Sequence, residues 1–124
     1  MLAFLEGEAG AKRVQNVLKA ARQKKAAIAF SAINLGEVVY ITERERGLAA
    51  AQNVLAVIEQ LSLEILPATQ ARILNAAHIK ARFRVAYADA FAIAAAQELQ
   101  GIVLTGDPEF TEVEKIIQVE WLPR

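Results

Sequence analysis

The sequence of 124 residues lacks cysteine, long apolar runs and any formal net charge. Without cysteine the chain can form no disulfide and no thiolate zinc site, and chemistry by a cysteine nucleophile is excluded. No apolar run approaches the roughly 18 residues of a membrane-spanning helix, and the N-terminus lacks the pattern of a signal peptide. We therefore expect a protein of the reducing cytoplasm that makes no use of a membrane.

Apolar residues make up 55% of the chain, and alanine, isoleucine, leucine and valine supply most of them. This composition predicts a packed interior rather than intrinsic disorder. The length is that of one ordinary domain, and no linker, repeat or low-complexity segment divides it. We expect residues 1–124 to form a single domain.

The charges are polarised along the chain although they cancel in total. Residues 9–36 contain no acid but six basic residues, namely Lys12, Arg13, Lys19, Arg22, Lys24 and Lys25. Residues 107–120 are mainly acidic. The basic stripe could contact phosphates, or it could be the solvated face of a helix, and the sequence alone leaves both interpretations open.

Helical and strand patterns alternate along the sequence. Helices are predicted over 10–25, from Ser31 to Gly47, over 48–61, from Thr69 to about residue 83, and over 87–99. Short apolar strands are predicted over 26–30, 63–66, 102–104 and 116–121. Strands that alternate with helices indicate an α/β fold whose mostly parallel sheet is flanked by helices on both faces.

Glu37 occupies an unusual position in the helix that follows Ser31. Ile33 and Ile41 lie four residues before and after it, so the helix places the carboxylate on or beside the stripe that faces the core. An unpaired carboxylate out of water costs several kcal/mol, so such a residue normally has a cation, hydrogen-bond donors or a shifted pKa. The alternative is a partly exposed glutamate at the edge of the helix.

Two aspartates are also unusual in their surroundings. Asp89 is the only charged residue between Val85 and Ala96, although a first-turn acid would also favour the helix dipole. Asp107 directly follows a predicted buried strand, where ligands of parallel sheets collect, although it could simply be a turn residue before Pro108. Three carboxylates from separate segments suggest a site for Mg²⁺ or Mn²⁺, which prefer oxygen ligands and can support phosphodiester cleavage.

The residues around these acids resemble three motifs of the PIN-domain family. The matching runs are Ser31-Ala-Ile-Asn-Leu-Gly-Glu37-Val, Tyr87-Ala-Asp89-Ala-Phe-Ala and Leu104-Thr-Gly-Asp107-Pro-Glu-Phe. Their order and spacing also agree, and the likeness is to VapC-type toxins of toxin–antitoxin pairs. It covers nearly the whole chain and implies a three-layer PIN-like fold.

The resemblance implies a metal-dependent endoribonuclease. Glu37, Asp89 and Asp107 are its candidate catalytic and metal-binding carboxylates for Mg²⁺ or Mn²⁺, and Thr105 matches a hydroxyl residue that accompanies the last of them. RNA is the implied substrate. A cognate antitoxin and a homodimer are the implied partners.

The sequence departs from the family at its beginning. The family has an N-terminal strand that ends in Asp-Thr or Asp-Ser, whereas this chain opens with Met1-Leu-Ala-Phe-Leu-Glu-Gly-Glu, which resembles the segment after that motif. We expect this strand and its aspartate to be missing, with an upstream start codon as the simplest explanation. Glu6 and Glu8 lie beyond the ligand position and do not match it.

The departure leaves two main functions open: a metal-dependent ribonuclease, and a catalytically degenerate PIN domain that binds antitoxin or RNA without cleavage. A flavodoxin-like ligand-binding domain is a third class. The basic patch around His78, the only histidine, could contact RNA or favour the C-terminal dipole of its helix. The sequence contains no phosphate-binding glycine loop.

Overall fold

The computed structural model describes residues 28–60, 63–105 and 108–121. In chain order the elements are β1 (Ile28–Ser31), α1 (Ala32–Arg46), α2 (Leu48–Gln60), β2 (Leu63–Leu66), α3 (Gln70–Arg82), α4 (Tyr87–Leu99), β3 (Ile102–Thr105), a 3-10 helix (Pro108–Lys115) and β4 (Gln118–Trp121). Across these residues, no helix is long and apolar enough to cross a membrane.

Local capping signals set several of these boundaries. The Ser31 hydroxyl accepts a hydrogen bond from the backbone N–H of Ile33 at 3.2 Å, and the Thr69 hydroxyl accepts one from that of Arg72 at 3.3 Å. Each hydroxyl satisfies a donor that the first turn of a helix leaves unpaired. Gly47 ends α1 with a φ of 93°, a conformation that glycine adopts more readily than other residues.

The strands form two parallel pairs. β1 pairs with β2 from Ile28 opposite Leu63 to Ser31 opposite Leu66. β3 pairs with β4 from Ile102 opposite Gln118 to Thr105 opposite Trp121. The predicted parallel α/β organisation is therefore confirmed, and within the described ranges it takes the form of two separate two-stranded sheets.

Helix α4 lies at the centre of the main core and packs against β1, β3, α1 and α3. Its small residues Ala90 and Ala94 are buried and let neighbouring elements approach closely, while Phe91 and Ile93 fill the space between them. Val103, Phe110, Val113 and Ile117 complete this cluster from the other side. The alanine-rich helix is thus the element on which both strand pairs rest.

Helices cover both faces of β1. Phe30 packs with Val38 of α1 and Ile58 of α2, whereas the adjacent Ser31 faces a small space lined by Phe91 and other α4 residues. Successive residues of a strand point to opposite faces, so this arrangement places β1 in the middle of three layers. The three-layer fold predicted from the sequence agrees with it.

Several predictions fall outside the described residues or differ from the structure. The helix over 10–25, the basic stripe and the absent N-terminal strand all concern residues before Ile28, which are not described. The segment from Pro108 to Lys115 forms a 3-10 helix that the sequence did not predict, and the last strand begins at Gln118 rather than at residue 116. The helical spacing after Thr69 runs through Ile73, Leu74, Ala77 and Ile79, yet Ile73 and Leu74 are exposed because α3 buries Ala76 and Ile79.

Candidate active site

The buried stripe of α1 contains two polar residues. Asn34, Val38 and Thr42 recur every four residues and are all buried. The Asn34 side-chain amide donates a 2.8 Å hydrogen bond to the backbone carbonyl of Ala88, and the Thr42 hydroxyl donates one to that of Val38. These bonds satisfy polar groups that would otherwise be costly to bury.

The apolar residues predicted to define this stripe do not all lie on it. Ile33 was expected on the stripe but is 38% exposed, and Tyr40 is 49% exposed, whereas Val38 is buried. The prediction for Ile33 was wrong because the partner of Asn34 lies 54 residues away in sequence, where helical periodicity carries no information. The signal that could have revealed Asn34 is its position one turn before Val38.

Glu37 lies beside the buried stripe and is half-buried. Burial raises the pKa of its carboxyl group above the ordinary value of 4.5. Within the described residues no ion pair to Glu37 is present that would oppose this effect. The carboxylate is therefore partly desolvated in a position where a bound cation would stabilise its charged form.

Asp89 lies in the first turn of α4, directly after the Ala88 carbonyl that Asn34 binds, and is half-buried. The N-cap position of α4 is Ala86, which has no side-chain oxygen to cap the helix. An acidic side chain in the first turn is favourable there through the helix dipole. This contribution to the helix and a role in metal binding are compatible.

Thr105 is the last residue of β3 and is buried. Only Gln100 and Gly101 separate α4 from β3, and β3 packs against α4, so the strand turns back along the helix. Four strand residues span about 13 Å of the roughly 20 Å length of α4, which brings Thr105 back toward the half of α4 that carries Asp89. Asp107, the third predicted acid, lies outside the described residues.

The bond between Asn34 and Ala88 joins the first turns of α1 and α4. Glu37 follows Asn34 by about one turn, and Asp89 follows Ala88 by one residue, so both acids lie close to this bond along their own helices. Among the residues for which coordinates are described, no three acids or histidines form a metal-binding cluster. The structure therefore shows the surroundings of two predicted site residues and of Thr105.

Replacement of Asn34 by alanine is expected to destabilise the protein by about 1–3 kcal/mol, because the Ala88 carbonyl loses its buried donor. If Asn34 holds the two acid-bearing turns together, the same change weakens Mn²⁺ binding about 10- to 100-fold. Chemical denaturation and Mn²⁺ titration measure the two effects. Asn75→Ala, on an exposed position of α3, is the matched control. Unchanged stability and Mn²⁺ affinity in Asn34→Ala would contradict this role.

Three solved structures share the fold at low sequence identity. They are the DNA-bound VapBC of Salmonella typhimurium (19% identity, 95% of this chain and 87% of that chain, TM-score 0.63), VapBC2 of Rickettsia felis bound to a promoter DNA fragment (15%, 98% and 90%, 0.66), and a toxin–antitoxin complex of Klebsiella pneumoniae (16%, 96% and 88%, 0.62).

A comparison with curated proteins gives no match. The sequence model of the PIN domain, however, matches residues 1–116, which is most of the chain. The parallel strand pairs and the flanking helices agree with the solved structures at TM-scores above 0.6. The chain belongs to the PIN domain family.

Proposed function

We propose that this chain is a Mg²⁺- or Mn²⁺-dependent endoribonuclease that acts as the toxin of a toxin–antitoxin pair. The observation that carries the proposal is the position of Glu37, one turn after Asn34, and of Asp89, one residue after Ala88, because the partly buried hydrogen bond between Asn34 and Ala88 joins their two helices. Both acids are half-buried, and burial raises the pKa of Glu37. Membership of the PIN family supports the reaction class.

The residues of this region fit a hard divalent cation. Glu37 and Asp89 offer carboxylate oxygens, and Asp107 follows β3 by two residues in the sequence, so these three acids are the proposed ligands. A bound Mg²⁺ or Mn²⁺ would supply Lewis acidity and an activated water molecule. The rise in the Glu37 pKa supports this fit, because a nearby cation would offset the desolvation that disfavours the carboxylate.

The protein's own residues have positioning roles in this proposal. Asn34 holds the α1 and α4 turns in register, and Thr105 places a hydroxyl near the end of β3. Thr105 is buried, so we expect its hydroxyl to orient a carboxylate rather than to meet the RNA directly. The scissile RNA phosphate would lie over the exposed side of Glu37 and Asp89.

An antitoxin is the proposed regulator. Ile33 and Tyr40, which lie four residues before and three residues after Glu37 on α1, are exposed apolar side chains. A protein segment that covered both would also cover Glu37 and exclude RNA. Two of the solved structures are VapBC complexes bound to DNA and the third is a toxin–antitoxin complex, which supports a partner of this kind. We propose that the toxin itself is a single domain, cytoplasmic and homodimeric.

The test is cleavage of single-stranded RNA by the purified chain. We expect cleavage with Mg²⁺ or Mn²⁺, its loss in excess EDTA, and its recovery when the metal is restored. Cleavage that resists EDTA would contradict metal dependence. Binding of RNA without cleavage under any of these conditions would favour the catalytically degenerate PIN domain, the second function that the sequence left open.

A further inference from the structure

The segment between α3 and α4 bends at Phe83 and is held by several hydrogen bonds, among them a 3.1 Å bond from the Val85 N–H to the Phe83 carbonyl. Phe83 and Ala86 both have extended backbone conformations. The Lys80 ammonium donates a 2.7 Å hydrogen bond to the Val85 carbonyl, and the Val85 side chain is buried. The Phe83 N–H also bonds to the Ile79 carbonyl at 2.9 Å. This backbone can therefore present its outward side chains in a fixed place.

Two arginines point outward from this segment. Arg84 is the central residue of the turn closed by the bond from the Val85 N–H to the Phe83 carbonyl, and it is exposed between half-buried Phe83 and buried Val85. The guanidinium of Arg82 lies over the Phe83 ring, 5.2 Å from its centroid. In the described part of the chain, neither arginine has an acidic partner. Arg84 also lies beyond the last turn of α3, so the dipole of that helix does not account for it.

Tyr87, the first residue of α4, is an exposed aromatic residue three positions after Arg84 in the sequence. It is 46% exposed, and its ring contacts buried Phe91 at a centroid distance of 5.2 Å and an angle of 60°. The tilted contact supports one edge of the tyrosine ring and leaves much of its surface open. Such a ring can stack on a planar group with little loss of side-chain freedom, because it has few rotatable bonds.

The ring lies at the same end of α4 as the proposed active site. Tyr87 directly precedes Ala88, whose carbonyl accepts the Asn34 hydrogen bond, and it precedes Asp89 by two residues. Two residues are about 200° apart around a helix, so the ring and the carboxylate project in different directions from the same turn. A strand of RNA that crosses this turn could meet both.

We propose that Tyr87 and Arg84 form a seat for single-stranded RNA, in which Tyr87 stacks on an unpaired base and Arg84 contacts a neighbouring phosphate. The seat rests on the proposed ribonuclease function and adds the requirement that the substrate be unpaired there. An aromatic ring beside a cation is the pairing that single-strand recognition uses. A duplex keeps its bases stacked on one another and cannot use the ring in this way.

The test is binding of a fluorescent single-stranded RNA oligonucleotide to the full chain in EDTA, where metal-dependent cleavage is absent. Tyr87→Ala is expected to weaken binding about 5- to 100-fold, the usual effect of losing one stacked base. Tyr87→Phe keeps most of the affinity. Arg84→Ala weakens binding and lowers the slope of log affinity against log salt concentration by about one.

Two further variants separate stacking from folding. Tyr87→Leu keeps an apolar contact with Phe91 but removes the aromatic surface, so it should bind as weakly as Tyr87→Ala while melting near the wild-type temperature. Leu99→Ala, at the other end of α4, is the matched control because Leu99 is 47% exposed. Double-stranded RNA of the same sequence should bind more weakly than the single strand and should be insensitive to Tyr87→Leu.

The seat is overturned if Tyr87→Leu binds the single strand as tightly as the wild type, or if Leu99→Ala weakens binding equally. These outcomes are distinct from failure of the proposed function. A wild-type chain that binds RNA through Tyr87 but does not cut it with Mg²⁺ or Mn²⁺ would support the seat and contradict the proposed nuclease function. A Tyr87→Leu variant that cuts RNA with the wild-type KM would support the nuclease function and contradict the seat.

Discussion

Replacement of Asp89 by asparagine is expected to lower the rate of RNA cleavage by about 100-fold or more. The change removes a negative oxygen ligand from the proposed metal site but keeps the size of the side chain. Metal ions contribute several kcal/mol to the stabilisation of charged transition states, and each 1.36 kcal/mol corresponds to a tenfold change in rate. Single-turnover cleavage at saturating Mg²⁺ measures the effect on the chemical step.

The fold should survive this substitution. Asp89 lies in the first turn of α4, where a favourable interaction with the helix dipole contributes about 0.3–1 kcal/mol. A small loss of stability with a large loss of cleavage rate would thus separate the contribution of Asp89 to the helix from its proposed role as a metal ligand. Glu112→Gln, an exposed change in the 3-10 helix, is the control and should cut normally. Wild-type cleavage by Asp89→Asn would remove Asp89 from the site.

Replacement of Glu37 by glutamine is expected to have opposite effects on stability and on activity. Without metal the variant should be more stable than the wild type at pH 7, because glutamine has no charge to desolvate at this half-buried position. With metal the order should reverse, since only the wild type gains stability from the bound cation. Cleavage should fall by about 100-fold or more, as for Asp89→Asn.

The pH dependence of stability gives a second measure of how the burial of Glu37 affects the free energy of unfolding. Burial raises its pKa in the folded protein, so the folded state holds this proton more tightly than the unfolded state does. The resulting stabilisation is fully present below the ordinary pKa of 4.5 and is lost as the pH rises through the raised value. In EDTA, the advantage of Glu37→Gln should therefore be largest at pH 7 and shrink toward pH 4.5.

Urea denaturation at several pH values, with EDTA or with Mn²⁺, measures both effects. Glu59→Gln is the matched control, because Glu59 is an exposed helical glutamate on α2. This variant should show neither the gain in stability in EDTA nor its reversal with Mn²⁺. If Glu37→Gln is less stable than the wild type in EDTA at pH 7, the carboxylate has a favourable partner in the folded protein. That result would contradict the proposal that Glu37 lies where a bound cation would stabilise its charged form.

The elements that the sequence predicted well are those that depend on local chemistry. Ser31 and Thr69 were recognised as N-caps and Gly47 as a helix end, because capping involves residues only a few positions apart. The bounds of α4 also agree with the prediction, since an alanine-rich run between Val85 and Gly101 leaves few alternatives. Strand pairing and register involve distant residues and could not be read from the pattern.

The weakest part of the prediction was which face of each helix is buried. Ile33, Tyr40 and Leu74 are large side chains, yet each is exposed. Smaller or polar residues of the same helices, such as Asn34 and Ala76, occupy the buried faces instead. Asn34 shows the reason most clearly, because its burial depends on the carbonyl of Ala88. Ile102 was predicted to be buried but is exposed at the start of β3, where the strand meets solvent.

The candidate site was predictable to a different degree for each residue. The motif around Asp89 and the apolar residues beside it identified a first-turn acid, and the structure places it there. The half-burial of Glu37 follows from its position beside the stripe rather than on it. The contact that joins their helices, through Asn34, could not be predicted because it links segments with no local relation.

Mn²⁺ binding tests the central claim, that Glu37 and Asp89 belong to one metal site, most directly. The electron paramagnetic resonance signal of free Mn²⁺, measured as protein is added, gives the number of bound ions and their affinity. The wild type should bind Mn²⁺, Glu37→Gln and Asp89→Asn should each weaken that binding strongly, and the double variant should be little worse than either single one. Wild-type affinity in both single variants would contradict a shared site.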